Sequence, residues 1–312
     1  MLENILMTRH LFMIFEVGMT FAIGFLSLKF FSKILPKDQG RPDAVNGELS
    51  RGKARGAGII MITAFVLCCA LFVPFSAETV INMALIYAAM LTGYFDDAAK
   101  VAWGELKKGL LDLVITIGLT VNFIAHNPTA IILFGHDINV PVPLFAVLCM
   151  GLIWMSINVT NCCDGVDGMC ASLSLVTLGL FLFYSLPEDM TTMSVIMMII
   201  LISYLWFNCS PSLILMGDAG SRSLGVFLAL AALHSGRPVS FLPFACMIII
   251  DGGIGLVKLS FRRFLKLTNF MEKIRTPLHD HWRKNLGVGD TQVVVRFTII
   301  QLIVGAVFIS FI

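Results

Sequence analysis

The chain has 312 residues, 57% of them hydrophobic and only 13% charged, with a formal net charge of +2. Soluble domains carry about a quarter charged residues, so this composition excludes a soluble globular protein. It also excludes disorder, collagen and a nucleic-acid binder, because the apolar residues fall in long blocks between short polar stretches and the charge is nearly balanced.

What remains is an all-α polytopic membrane protein, read as a single integral-membrane domain over residues 1–312. Its apolar stretches lie at 10–31, 57–75, 80–92, 110–125, 143–159, 171–186, 191–207, 224–233, 242–259 and 293–312, which predicts about ten transmembrane helices. The third and eighth are short, as broken or re-entrant segments are. The first shows no small-residue cleavage site and is read as a retained span. Between consecutive stretches, the first, third, fifth, seventh and ninth loops hold 6, 3, 0, 1 and 7 Lys and Arg, against Arg237 alone in the other four. Cytoplasmic loops are the basic ones, so both termini are expected outside and five loops in the cytoplasm. The outer loop at 126–142 alternates polar and apolar residues around Gly135, which predicts a small hairpin. None of the eight cysteines has CxxC spacing, so neither a zinc site nor a redox site is expected.

Four polar clusters fall on the predicted cytoplasmic side. GYFDDAAK (93–100) ends the third stretch with adjacent carboxylates Asp96 and Asp97. Neighbouring carboxylates repel unless a cation stands between them, so a divalent metal, a basic substrate or a proton relay is implied; the alternative is a solvated helix end. NVTNCCDGVDGM (158–169) joins the fifth and sixth stretches. Its glycines favour a tight loop on which Asn158, Asn161, Asp164 and Asp167 converge on a polar ligand such as a base and sugar hydroxyls. An EF-hand is excluded, because the twelfth position from Asp164 is Leu175 rather than Glu. Two glycosylation sequons, at Asn158 and Asn208, are discounted because both face the cytoplasm in this topology.

Asn208 precedes MGDAGSRSLG (216–225), which leads into the eighth stretch. Gly217 and its neighbouring glycines let backbone approach a phosphate at a helix N-terminus, and Asp218 among these anion-friendly groups points to a metal. The long basic loop 262–290 contains RTPLHDHWRK (275–284). His279 and His281, two apart, share no helix face and are expected on an extended or irregular segment, for phosphate binding or proton transfer. Otherwise the loop would simply be held near anionic headgroups. Four such clusters on one side specify an interfacial site for an anionic, metal-bound substrate, with a lipid partner arriving from the membrane.

At GYFDDAAK, NVTNCCDGVDGM, LWFNCSP with MGDAGSRSLG, and TPLHDH followed by VVVRF, the chain resembles the polyprenyl-phosphate N-acetylhexosamine-1-phosphate transferase superfamily and, within it, the muramoyl-pentapeptide branch. The resemblance runs from about Gly56 to the C-terminus. It implies a bacterial cytoplasmic-membrane enzyme with a cytoplasmic active-site cleft. Undecaprenyl phosphate would attack the β-phosphate of UDP-N-acetylmuramoyl-pentapeptide, giving lipid I and UMP with Mg²⁺. By the same resemblance Asp218 and Asp97 would hold Mg²⁺, and Asp96 would deprotonate or orient the lipid phosphate. Asn158, Asn161, Asp164, Asp167, Asn208 and Gly217 would line the nucleoside and metal region. Lys100, His279 and His281 would contact phosphate or the proximal sugar. An acceptor phosphate with a second pKa of about 6 is already largely dianionic at neutral pH, which leaves a general base dispensable. The partners are thus the two substrates and membrane lipids, with no nucleic acid; a homodimer is compatible with the sequence, which does not speak to oligomeric state.

Three departures from the family pattern bear on the donor sugar. Asp280 stands where the family has the middle of three histidines, Leu215 where it has a phenylalanine, and SRGKARGAG (50–58) where it has KxGTPTMGG, leaving Lys53 or Arg55 to supply the charge. They keep open a sister transferase that moves N-acetylglucosamine-1-phosphate. A cation-coupled transporter is the competitor from another class, on the strength of Glu16 and Asp251 inside spans, but paired broken helices are not seen. Asp251 in IIIDGG marks either a helix break or a hydrogen-bonded polar residue of the bundle.

Overall fold

The computed structural model describes the backbone of residues 2–40, 50–99, 101, 103–133, 135–267, 269 and 271–311, and within these the side chains from Leu11 onward except that of Phe264. Each of the ten apolar stretches is helical. The helices are α1 (Leu2–Phe31), α2 (Gly58–Phe72), α3 (Ala77–Asp97), α4 (Glu105–His126), α5 (Val142–Cys163), α6 (Met169–Phe181), α7 (Glu188–Asn208), α8 (Gly217–His234), the single-turn α9 (Phe241–Phe244), α10 (Cys246–Phe264), α11 (Leu278–Lys284) and α12 (Asp290–Ile309). Among the described residues, five segments are long and apolar enough to cross a bilayer: Leu11–Ile34, Glu105–His126, Val142–Cys163, Glu188–Asn208 and Asp290–Ile309. The pair on either side of Ala245, bent by 88°, would make a sixth. At 15 and 13 residues, α2 and α6 fall short of the ~20 that a straight crossing needs.

The centre of the bundle is α8, buried at every position from Ala219 to Leu233. A helix apolar on all sides belongs in a core, and its small residues let neighbours come close. A Cβ at Gly225 would stand 2.7 Å from the Ile157 Cα, so α5 rests directly on α8 backbone, and the Ser156 hydroxyl donates to the Gly225 carbonyl at 2.6 Å. Arg222 of α8 pairs with Asp112 of α4, each about 5% exposed, which keeps two charges tolerable inside the bundle. Outward, α1 and α12 present Leu11, Phe12, Ile14, Phe15, Ile299, Leu302 and Ile303, an apolar girdle suited to lipid.

The expected hairpin is present at the end of the bundle where α8 finishes: β2 (Ala130–Leu133) pairs antiparallel with β3 (His136–Asn139), and Gly135 between them has φ +79°. The Ile132 amide donates to the Gly236 carbonyl at 2.7 Å, and Arg237 lies 5.0 Å over the Tyr184 ring beside it.

Two expectations are corrected. The chain breaks at Ala245, before α10, and Asp251-Gly-Gly continues that helix: Asp251 is the hydrogen-bonded bundle residue, not the break. The amide freed at the break is met by Gln301 of α12, whose Oε1 accepts from the Met247 amide at 3.3 Å. His279 and His281 stand on the helix α11 rather than on an extended segment, although two positions apart they still leave it in different directions.

Candidate active site

At the opposite end from the hairpin, two short strands bring distant segments together. β1 (Ala54–Arg55) runs parallel to β4 (Ile214–Leu215), with Arg55 opposite Leu215. This places the residues after α1 against the turn that opens α8, and a cleft of about 420 Å³ forms between them and the turn after α5. Its walls include Asn161, Asp164, Asp167, Asn208, Gly217 and Asp218, six of the residues singled out from the second and third motifs.

The walls are built by side chains that bind one another. Asn208, closing α7, accepts from the Gly168 amide and donates to the Ile214 carbonyl, both at 2.8 Å, so it clamps the turn after α5 to β4. Asp167 accepts from the Ser212 amide at 2.9 Å and faces the Lys53 ammonium at 3.6 Å, while Lys53 also donates to the Ser212 hydroxyl. Asn161 donates to Ser221 at 3.0 Å. Asp164 takes a hydrogen bond from the Gly217 amide at the start of α8. Gly217 has φ +71°, and a Cβ there would lie 2.3 Å from Asp97 Oδ2; any other residue would push the carboxylate off the helix start.

The first motif closes the cleft from behind. The Asp97 side chain is fully buried; both Nε and Nη2 of Arg55 lie 3.0 Å from its Oδ1, and its Oδ2 accepts from the Ala219 amide at 3.3 Å. Asp96 accepts from the Lys108 ammonium at 2.5 Å and from the Trp103 amide at 2.7 Å, and Lys108 lies 3.5 Å from Asp218. Burial raises the Asp96 carboxyl, but the Lys108 and Trp103 bonds outweigh it and hold the acid below its ordinary range. A carboxylate held in that way is a poor proton acceptor. Asp97 moves the other way, to about 6, through burial first and the charge of Asp218 second. Burial also drives Asp164 upward, with Asp218 and Asp97 adding to it.

Behind burial, the upward shifts of Asp97 and Asp164 share a second cause, the negative charge of Asp218 beside them. The cleft lining carries five carboxylates, on Asp38, Asp164, Asp167, Asp218 and Asp290, against the cations of Lys53, Arg55 and Arg283. A phosphate-bearing ligand enters such a site only with a cation of its own. Among the described residues no three His, Cys, Asp or Glu side chains are gathered closely enough to hold a metal by themselves. The carboxylates of the lining are hard oxygen donors of the kind magnesium takes one or two at a time, with phosphate oxygens and water completing its shell.

Beneath the turn after α5 sits a buried pair. His279 Nδ1 lies 2.8 Å from Asp251 Oδ2, and the His279 amide donates to Asp251 Oδ1 at 2.6 Å. The other ring nitrogen stands behind Gly165, where a Cβ would come within 2.2 Å of it, with Asp280 Oδ1 at 3.7 Å. His279 therefore backs the cleft wall rather than projecting into the cleft. The His281 ring accepts from the Arg275 amide at 3.4 Å. Asp280, at the position of the family's middle histidine, faces Arg283 at 3.4 Å, and Arg283 lines the cleft while gripping Asp290 at 2.8 and 3.0 Å.

Most of the residues expected from the sequence thus converge. Asn158 does not: its amide turns back to the Trp154 carbonyl of its own helix. Lys100 lies outside the described residues. Sequence reasoning passed over Lys108, Arg283 and Asp290, and left Asp251 without a partner. Lys108 looks like any basic residue flanking a span, and only its ion pairs set it apart; a carboxylate as deep in an apolar run as Asp251 requires a partner, which was the available signal.

A bundle of apolar helices with a carboxylate-rich cleft at one end defines a multi-pass membrane protein. A family model described as glycosyl transferase family 4 matches residues 79–236. The phospho-N-acetylmuramoyl-pentapeptide-transferase of Treponema pallidum is 36% identical over 308 residues, covering 91% of this chain and 84% of the relative. Proteins of the same name from Dictyoglomus turgidum and from the Wolbachia of Brugia malayi are 32% identical over 206 residues (64% of this chain, 63% of the relative) and 24% over 315 (94% and 96%). The chain belongs to the phospho-N-acetylmuramoyl-pentapeptide-transferase family, within glycosyl transferase family 4.

Proposed function

We propose that the protein transfers phospho-N-acetylmuramoyl-pentapeptide from its UDP carrier to undecaprenyl phosphate, producing lipid I and UMP in peptidoglycan synthesis. The observation that carries this reading is the meeting of all four motifs, from α3, α5–α6, α7–α8 and α10–α11, around one acidic cleft in a chain 36% identical to a transferase of that name. In this reading the ten helical stretches are the spans of a bacterial cytoplasmic-membrane protein, both termini lie outside, and the cleft opens to the cytoplasm, where the basic loops lie.

Phosphoryl transfer to a phosphate needs charge neutralisation and in-line placement more than covalent help from the protein. Asp218, with Asp97 behind it, would hold magnesium, which when bound would supply charge neutralisation on the donor diphosphate. Arg55 fixes Asp97 and takes the place of the lysine in the family's KxGTPTMGG stretch. Lys108, set between Asp96 and Asp218, offers an ammonium to the reacting phosphates, and Asp96 serves to aim that ammonium rather than to remove a proton. Asn161, Asp164 and Asp167 present amide and carboxylate groups to the nucleoside, on a turn that Asn208 clamps and His279 supports.

The test is UMP release by the purified protein with Mg²⁺ and undecaprenyl phosphate, comparing UDP-N-acetylmuramoyl-pentapeptide with UDP-N-acetylglucosamine. Release from the pentapeptide donor alone supports the reading. Release from the other donor alone would mean that Leu215 and Asp280 mark a different sugar, and release from neither would remove the transferase assignment in favour of transport.

A further inference from the structure

A second cavity, of about 360 Å³, lies beyond the cleft where α10 meets the chain leading to α11. Lys258 stands seven residues after Asp251, about 10 Å along the helix. It is only 8% exposed; its ammonium donates to the Ile274 carbonyl at 2.6 Å and makes no ion pair among the described residues. Arg262, Lys273 and Arg275 line the same cavity, with Glu272 the single carboxylate of the lining. Four cations thus share the cavity with one carboxylate, and that surplus of positive charge around a little-exposed ammonium is costly unless an anion occupies the space. The apolar rim is Leu259, which lines the cavity, and in the adjoining chain along α10 and the turn that follows it Val257, Leu265 and Leu267 are exposed. Cations at the centre and large aliphatic side chains at the edge form the pattern of an element lying in the membrane interface, its apolar groups among acyl chains and its charges at headgroup level.

We propose that this cavity binds the phosphate of an anionic phospholipid, with Lys258 and Arg275 as its inner cations and Arg262 and Lys273 at its mouth. The apolar rim selects a lipid-borne phosphate over a free one, since inorganic phosphate gains nothing from it. The site is separate from the cleft, and its occupancy does not depend on the transferase reading.

The experiment is native mass spectrometry of the full chain released from detergent, titrated with dioleoylphosphatidylglycerol or dioleoylphosphatidylcholine. The unaltered protein should retain the anionic lipid preferentially. Lys258→Met should weaken that retention about fivefold, and separately the surface pair Arg262→Gln with Lys273→Gln about 25-fold, as loss of one and of two interfacial cations implies. The pair Lys29→Gln with Lys33→Gln, at the end of α1, should leave it within about twofold. The surface pair keeps the test informative if Lys258→Met does not fold. Equal retention of the two lipids, an equal loss in the α1 pair, displacement of the lipid by 10 mM inorganic phosphate, or retention of undecaprenyl phosphate but not phosphatidylglycerol would each overturn the assignment.

Discussion

The bundle carries a carboxylate–histidine pair at each end, half-buried at the hairpin end and buried at the cleft end, and the two pairs are wired differently. At the hairpin end, His234 Nε2 meets Glu78 at 3.0 Å, its Nδ1 meets the Leu230 carbonyl at 2.9 Å, and the ring packs edge-on against Phe123. Glu78 is further bound by Asn127 at 2.5 Å, while Asn122 ties its backbone to Asn82. Both ring nitrogens and the carboxylate there are spent on neighbours. At the cleft end, Asp251 takes both the amide and Nδ1 of His279, which leaves Nε2 directed at the glycine turn of the cleft wall. A closed network holds helices together; an imidazole fixed by a buried carboxylate on one side and set against the cleft wall on the other, with Asp280 at 3.7 Å, serves the site next to it.

The sharpest way to break this contrast is to remove the charge at which the cleft converges. Asp218→Ala should lower Mg²⁺-dependent UMP release by at least about 10³-fold while the protein still elutes as folded. Asp97→Asn should behave likewise, since Arg55 would lose its anchor. Near-normal turnover in either variant would take that residue out of the site.

Asp251→Asn comes next. It preserves shape but no longer fixes which His279 nitrogen carries the proton, so kcat should fall by between about 10- and 100-fold with little change in KM. Asp251→Glu should recover part of the loss. A merely structural carboxylate would move thermal stability and KM together. Smaller again is the effect of Gly165→Ala. The added methyl would press on an imidazole that Asp251 does not let turn, and turnover should drop roughly tenfold. If Gly165→Ala equals the unaltered enzyme, the ring is not held where the structure places it.

The same two ends show how far the sequence could be read. All ten helical stretches and the hairpin were legible, because apolar block length and strict alternation are local signals. The carboxylates and amides of the cleft were legible too, since polar residues in so apolar a chain are few and each requires an explanation. Partners were not. Nothing local says that Arg55 reaches Asp97, 42 positions away, or that Lys108 lies between Asp96 and Asp218 rather than at the membrane surface. The helical state of α11 was missed for a related reason: seven residues behind a proline give too short a pattern for periodicity to register, and the helix is held by the tertiary bonds of His279 and Arg283. The break lies at Ala245; the sequence left Asp251-Gly-Gly open between a helix break and a hydrogen-bonded bundle residue, since glycine pairs weaken helices. Here they admit α5 instead, with a Cβ at Gly252 only 2.5 Å from the Val159 carbonyl.

The mildest prediction tests the hairpin end. Burial raises the Glu78 carboxyl, but the hydrogen bond and charge of His234, with Asn127 and His126 adding to them, bring it below its ordinary value. A depressed carboxylate contributes stability that is complete above the unfolded pKa, about 4.3, and is lost as pH falls through the lower folded value. The unaltered protein should therefore lose part of its thermal stability on acidification below about pH 4.3, and Glu78→Gln should lose less over the same interval. At neutral pH the substitution should cost no more than about 1 kcal/mol, because the pair is partly solvated, and UMP release should stay within twofold. A Glu78→Gln enzyme whose turnover falls as far as that of Asp251→Asn would show that the two pairs are coupled through α8, and the division between a holding end and a working end would fail.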